Sequence, residues 1–145
     1  MKMKKFLTLG LAAIMAVSMV GCVNQHPEEA NGTAASSDDV RIVATSPATA
    51  DICDRLELDL VGVCSSTLST IPERYKDVTQ IGTAMSPDLE ILKSLKPDYV
   101  LSPSSLQSDL QPKYESIGVN SIFLNLKSVE GMYASISDLG QKFDR

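Results

Sequence analysis

The stretch VRIVATSPATADICDRLELDLVGVC, residues 40–64, decides the fold because two short apolar runs flank a segment with helical character. VRIVA is rich in β-branched residues, and LVGVC closes the unit as a second strand. Between them, Ser46 and Pro47 are typical of a helix start. A strand, a helix and a strand in this order predict two parallel strands joined by a crossover helix.

The same alternation continues after residue 64. Further strands are predicted at VTQIG (78–82), within KPDYVLS (96–102) and at VNSIFLNL (119–126). A helix is expected to begin at Ser86, and another is expected around residues 106–118 with an interruption at Pro112. Repeated units of this kind predict an α/β fold in which a parallel sheet, spanning residues 40–127, carries helices on both faces.

The first 39 residues have a different character. A basic start, MKMKK, precedes an apolar run that is too short for a confident membrane span, and the sequence MVGC ending at Cys22 resembles a bacterial lipobox. We therefore expect residues 1–21 to be a lipoprotein signal peptide, Cys22 to be lipidated and residues 22–39 to be a flexible tether. The alternative is an uncleaved signal anchor.

Charge and residue usage exclude several classes of function. Removal of residues 1–21 takes away three lysines and no acidic residue, leaving 10 basic and 18 acidic residues, so nucleic acid is not an expected partner. The single histidine, His26, lies in the tether, where no rigid catalytic or metal site is expected. Cys53 and Cys64 have two open interpretations, a disulfide or two buried free thiols.

The last 18 residues predict a helix that starts after Ser128. Its apolar positions recur at helical spacing, at Val129, Met132, Tyr133, Ile136, Leu139 and Phe143. No glycine cap follows the last of them, so we expect residues 128–145 to be the start of a longer helix. The alternative is a C-terminal helix that frays.

Hydroxyl-rich loops follow each of the first four predicted strands, namely ATSPAT, SSTLST, GTAMSP and SPSS. Such loops are ordinary turn and capping sequences, yet in a parallel sheet all of them meet at the carboxyl edge, where ligands bind. Because no acid–base residues accompany them, they indicate binding and release instead of catalysis. Met85, in the third loop, is either a core residue or a sulfur donor to a ligand.

Three segments, residues 41–63, 71–102 and 110–143, resemble the N-terminal lobe of the haem-binding lipoproteins of Gram-positive iron-regulated surface determinant systems. These are helix-backbone substrate-binding proteins of ABC transporters. The resemblance implies two α/β lobes joined by one long helix that begins near Ser128, with the second lobe missing from this chain. It also implies that haem binds in the cleft between the lobes and is passed to a membrane permease.

In that family, haem iron is held by a methionine of the first lobe and a histidine of the second, and Met85 matches the methionine. The resemblance assigns propionate contacts to Thr45 and Ser46 and to Ser66 and Thr67. It further implies an extracytoplasmic lipoprotein on a Gram-positive cell membrane, with surface haem donors upstream. Pro47 and the absence of a basic residue in SSTLST depart from the family, which leaves a ferric siderophore or a corrinoid as an alternative cargo. A surface hydrolase using a serine or Cys64 is a third hypothesis.

Overall fold

The computed structural model describes residues 39–145. Four parallel strands form one sheet in the order β2-β1-β3-β4, where β1 is Ile42–Ala44, β2 is Leu60–Val63, β3 is Tyr99–Pro103 and β4 is Ser121–Leu124. The helices are α1 (Pro47–Arg55), α2 (Leu89–Leu95), α3 (Gln107–Ser116) and α4 (Val129–Lys142). Short 3₁₀ turns lie at Glu73–Tyr75 and Ser104–Leu106. The expected α/β fold with a parallel sheet is confirmed.

Two apolar layers cover the two faces of the sheet. One layer packs α1 and the C-terminal part of α4 against the sheet and includes Ile52, Leu101 and Leu139. The other packs α2 and α3 through Leu92 and Leu110. All five side chains are at most 5% exposed. Because both faces are covered, the strands are mostly apolar, as parallel strands usually are, with one serine in β3 and one in β4.

Residues 78–82 do not form the predicted strand. They pair with the end of β2 through one isolated bridge, Val63 with Gln80, and two backbone hydrogen bonds: the Val63 N–H donates to the Thr79 carbonyl and the Ile81 N–H donates to the Val63 carbonyl, each at 2.9 Å. Gly82 leaves extended geometry at φ +91°, and a further bond, from the Ser65 N–H to the Gly82 carbonyl, does not continue the strand ladder.

Two helix details also differ from the prediction. Asp88, not Ser86, is the N-cap of α2, since its carboxylate accepts from the Glu90 and Ile91 N–H groups at 3.0 Å. Pro112 does not interrupt α3. Proline has no N–H to donate to the Ser108 carbonyl, four residues earlier in the helix. Because Pro112 and Ser108 are both exposed, water can reach that carbonyl instead.

The final helix, α4, begins after Ser128, whose Oγ accepts from the Gly131 N–H at 3.0 Å. It ends at Lys142 in a Schellman turn, with Asp144 at φ +55° and the Arg145 N–H donating to the Gly140 carbonyl at 2.8 Å. A left-handed aspartate therefore replaces the glycine cap that the sequence lacks. A longer inter-lobe helix remains a prediction.

Candidate functional site at the carboxyl edge of the sheet

The candidate site is built from loops at one edge of the sheet. Because all four strands are parallel, their carboxyl ends meet at that edge, and the loops that follow β1, β2 and β3 start there. Residues 82–87 join this edge through their contacts with the end of β2. The structure thus brings together the segments that contain Thr45, Ser66 and Met85.

Met85 occupies the third position of a four-residue turn, Thr83–Ser86. The Ser86 N–H closes the turn by donating to the Thr83 carbonyl at 3.1 Å, and it also lies 3.3 Å from the Thr83 hydroxyl. Below the turn, Gly82 and Pro87 form an antiparallel bridge and the Asp88 N–H donates to the Ile81 carbonyl at 2.7 Å. The backbone is fixed on both sides, while the Met85 side chain is 75% exposed. Within residues 39–145, Met85 is therefore not part of the apolar core.

The turn is tied to the sheet at its base. Ile81 is fully buried, and the Ser65 N–H, just after β2, donates to the Gly82 carbonyl at 2.7 Å. Gly82 has little room: a Cβ there would lie 2.9 Å from the Ser86 carbonyl oxygen and 3.2 Å from the Asp88 nitrogen. These contacts make the turn a rigid support for an exposed thioether.

Thr45 and Ser46 follow β1 directly, and both are buried. The Thr45 hydroxyl lies 3.2 Å from the Leu101 carbonyl and 2.7 Å from the Ser102 hydroxyl, which in turn lies 3.1 Å from the Tyr114 hydroxyl. These three side chains form a buried hydroxyl chain beneath the edge. Burial raises the pKa of Tyr114, although its bonds to Ser102 and Thr45 oppose the rise.

The Ser46 side chain caps α1. Its Oγ accepts from the Thr49 N–H at 3.1 Å, while the Ser46 N–H donates to the Thr49 hydroxyl at 3.0 Å, which together make a capping box. The hydroxyls of Thr45 and Ser46 are thus engaged inside the protein. Their proposed contact with a ligand requires backbone groups or a movement of these side chains.

The loop after β2 is open to solvent. The Ser66 hydroxyl is half-buried and accepts from the Leu68 and Ser69 N–H groups at 3.3 and 3.0 Å, and Thr67 is exposed. The sequence interpretation overlooked Leu68, whose side chain is 96% exposed. The available signal was a single large apolar residue within the hydroxyl run SSTLST.

Both cysteines in the described region are buried free thiols, in agreement with one of the two interpretations. Burial raises the pKa of Cys64 to about 11 and that of Cys53 to about 12, in each case against a smaller opposing effect from a backbone hydrogen bond. At neutral pH both are therefore protonated, and neither has the thiolate character that nucleophilic catalysis requires.

Within residues 39–145, no group of three or more His, Cys, Asp or Glu side chains is placed to hold a metal ion. Likewise, none of the helices in this part of the chain has the length and apolar character needed to cross a membrane. The predicted signal peptide, Cys22 and most of the tether lie outside the described residues.

Residues 42–145, which contain the sheet and this edge, match the family model described as periplasmic binding protein. The chain belongs to the periplasmic binding protein family. It is also 37% identical, over all 145 residues, to the high-affinity heme uptake system protein IsdE of Staphylococcus aureus, covering 47% of that protein. The chain therefore spans about half the length of the curated relatives that it matches, and the family resemblance inferred from the sequence is confirmed.

Solved structures of the family share this fold. An ABC transporter substrate-binding protein from Listeria monocytogenes EGD-e superposes with a TM-score of 0.71 and 45% identity over 73% of this chain and 41% of that one. S. aureus IsdE complexed with heme gives a TM-score of 0.70 and 41% identity over 74% of this chain and 41% of that one. These likenesses agree with the family assignment.

Proposed function

We propose that the chain is the N-terminal lobe of a lipid-anchored substrate-binding protein that captures haem and delivers it to the membrane permease of an ABC importer. The observation that supports this most strongly is the exposure of Met85 on a backbone turn held at the carboxyl edge. An exposed thioether on a rigid support is unusual for a residue that normally fills cores. It is suited to ligation of a bound metal centre.

The chemistry of Met85 agrees with haem as cargo. A thioether is a soft, neutral ligand that binds haem iron as one axial donor and raises its reduction potential. We propose that the second axial donor is a histidine of a second α/β lobe, as the family resemblance implies. Haem would then lie in the cleft between the two lobes, and the chain alone would offer one ligand and half a pocket.

Propionate recognition is proposed for the loops that contain Thr45, Ser46, Ser66 and Thr67. Of these four side chains, Thr67 is exposed and Ser66 is half-buried, whereas the other two are buried. Residues 64–71 contain no lysine or arginine. The propionates would therefore meet hydroxyl and backbone donors at this lobe, which makes their binding weaker than an ion pair would.

Because residues 64–71 contain no cation, a ferric siderophore or a corrinoid bound at the same edge is an alternative cargo. A carboxylate-bearing haem gains less from such a loop than it would from a basic one. In contrast, the hydrolase hypothesis loses its cysteine nucleophile, because Cys64 is buried and its pKa is raised.

We also propose a location at the cell membrane and protein partners on both sides of the transfer. Lipidation of Cys22 would hold the protein on the extracytoplasmic face of the cell membrane, with residues 22–39 giving it reach. The permease would receive the cargo, and surface haem-donor proteins upstream would supply it. The acidic balance of the mature chain, 18 acidic residues in all, argues against nucleic acid as a partner.

Direct competition between cargoes tests the proposal. The full-length product of the native gene would be titrated with haemin, a ferric hydroxamate siderophore and a cobalamin, each at micromolar protein. We expect haemin alone to saturate one site and to shift its Soret band. Saturation by the siderophore or cobalamin without a haemin shift would replace haem as the cargo, while leaving the fold assignment intact.

A further inference from the structure

Leu68 is the most exposed of the large apolar side chains that the structure describes, at 96%. An isolated exposed leucine carries no meaning by itself, since apolar atoms make up much of any protein surface. Leu68 is notable because it lies in a loop at the candidate site. Leu68 is the one apolar residue in SSTLST, residues 65–70, and this loop starts at the carboxyl end of β2.

The loop backbone on both sides of Leu68 is held in place. The Ser66 hydroxyl accepts from the Leu68 and Ser69 N–H groups, so the tip of the loop is closed by a local side-chain bond. At the base of the loop, the Ser65 N–H donates to the Gly82 carbonyl at 2.7 Å. That bond joins the loop to the turn that carries Met85.

The two most exposed large apolar side chains among the described residues, Leu68 and Met85, therefore project from two loops that share one anchoring bond. The other two exposed large apolar side chains, Val129 and Tyr133, both belong to α4. Tyr133, 65% exposed, lines a groove between α1 and α4 together with Ile52 and Ile136. The two largest exposed fractions thus belong to the pair of loops beside β2, and the next two belong to α4.

We propose that Leu68 is a ligand-contacting residue that packs on the apolar surface of the macrocycle whose metal Met85 binds. This inference rests on the proposed function. A tetrapyrrole presents a wide apolar ring as well as its metal, and a leucine gains free energy by covering such a surface and excluding water from it. The contact would favour planar macrocycles over ferric chelates whose outer surface is polar.

The test separates ring contact from metal coordination by using two probes, haemin and metal-free protoporphyrin IX, with the full-length native protein. The variants are Leu68→Ser, Leu68→Met, Met85→Ala and, as an exposed apolar control away from the loops, Tyr133→Ser. Absorbance follows haemin and fluorescence follows the metal-free probe. Because Leu68 is exposed, none of its variants is expected to disturb folding.

Leu68→Ser should raise the dissociation constants of both probes about fivefold to tenfold, as expected for losing the burial of part of a leucine. Leu68→Met, which keeps an apolar side chain, and Tyr133→Ser should both stay within about twofold of the original protein. Met85→Ala should weaken haemin far more than the metal-free probe, because only haemin has an iron to coordinate.

Unchanged constants for both probes in Leu68→Ser would overturn the role of Leu68 while leaving haem binding by the protein intact. A loss confined to haemin would also overturn it, because the residue would then act on coordination and not on the ring. Failure of the unsubstituted protein to bind haemin would instead refute the proposed function.

Discussion

At the scale of single residues, the exposure of Met85 is a consequence of backbone geometry around Gly82. Gly82 adopts φ +91°, and any side chain there would press on the Ser86 carbonyl at 2.9 Å. Only glycine combines a positive φ with such a close approach of another backbone atom without strain. The glycine therefore fixes the backbone from which the Met85 side chain projects.

Substitution of two glycines, Gly82 and Gly118, should lower the free energy of unfolding by unequal amounts. Gly118 also has a positive φ, +72°, but a Cβ there would meet nothing within 4 Å. Gly118→Ala should lower the free energy of unfolding by about 1 kcal/mol, from backbone strain alone, whereas Gly82→Ala should cost more than about 2 kcal/mol because a steric clash is added. Urea unfolding of both variants measures the difference, and equal costs would contradict the assigned turn geometry.

At the scale of elements, the seven-residue helix α2 depends on its cap. Asp88 accepts two backbone N–H bonds, while Ser86 lies in the preceding turn and is exposed. We expect Asp88→Ala to reduce the free energy of unfolding by about 1 kcal/mol, the usual loss for an N-cap, and Ser86→Ala to change it by less than about 0.5 kcal/mol. Thermal unfolding compares the two, and a larger loss for Ser86→Ala would restore the cap predicted from the sequence.

The choice between these two caps shows where sequence reasoning ends. Periodicity located the helices and most strands, because apolar spacing reflects burial directly. Ser86 and Asp88 are both good capping residues, however, and the bridge between Gly82 and Pro87 decides between them by holding Pro87 outside the helix. That bridge is a tertiary contact, which no local pattern reveals. The predicted strand at 78–82 fails for a similar reason, since one isolated bridge, Val63 with Gln80, is all that pairs it with β2.

The candidate site was predictable to a similar degree. The resemblance pointed to Met85, and the parallel sheet implied that the hydroxyl-rich loops would share an edge. Whether a hydroxyl faces a ligand or the core depends on distant partners, though. Thr45 turns inward to Ser102, a residue 57 positions away, and that serine also contacts Tyr114. No feature of the segment ATSPAT itself indicates this pairing.

At the scale of the whole molecule, two buried thiols should make the free energy of unfolding fall as the pH rises above about 9. Burial raises the pKa of Cys53 from 9.0 to about 12 and that of Cys64 from 9.0 to about 11. Well below pH 9, the thiols are protonated both in the folded protein and in the unfolded chain. Above it the unfolded chain releases them first, so the free energy of unfolding falls until the folded thiols also ionise.

The expected fall is about 1.4 kcal/mol per pH unit for each thiol. Urea unfolding under reducing conditions, at about pH 7 and about pH 10.5, measures it. Cys64→Ala is the control, because it should give a shallower dependence on pH whatever its effect at neutral pH. A stability that does not change across this range would show that the thiols ionise as easily in the folded state as in the unfolded chain.

Anchoring is a second property of the whole molecule. Cys22→Ala should move the protein from the membrane fraction to the soluble fraction, because acyl chains would supply the membrane affinity and the acidic body is repelled by anionic lipids. Fractionation of cells that express each form, followed by immunoblotting, measures the change. Retention of the variant in membranes would favour an uncleaved signal anchor.

The central claim, that Met85 supplies a sulfur ligand to haem iron, is tested most directly by magnetic circular dichroism of the haem-loaded full-length protein. We expect a low-spin methionine signature that is lost in Met85→Ala and kept in Met132→Ala, a matched substitution at a half-buried methionine of α4. Met85→Ala should be as well folded without haem as the unsubstituted protein, since Met85 is 75% exposed. An unchanged spectrum in Met85→Ala would contradict the account.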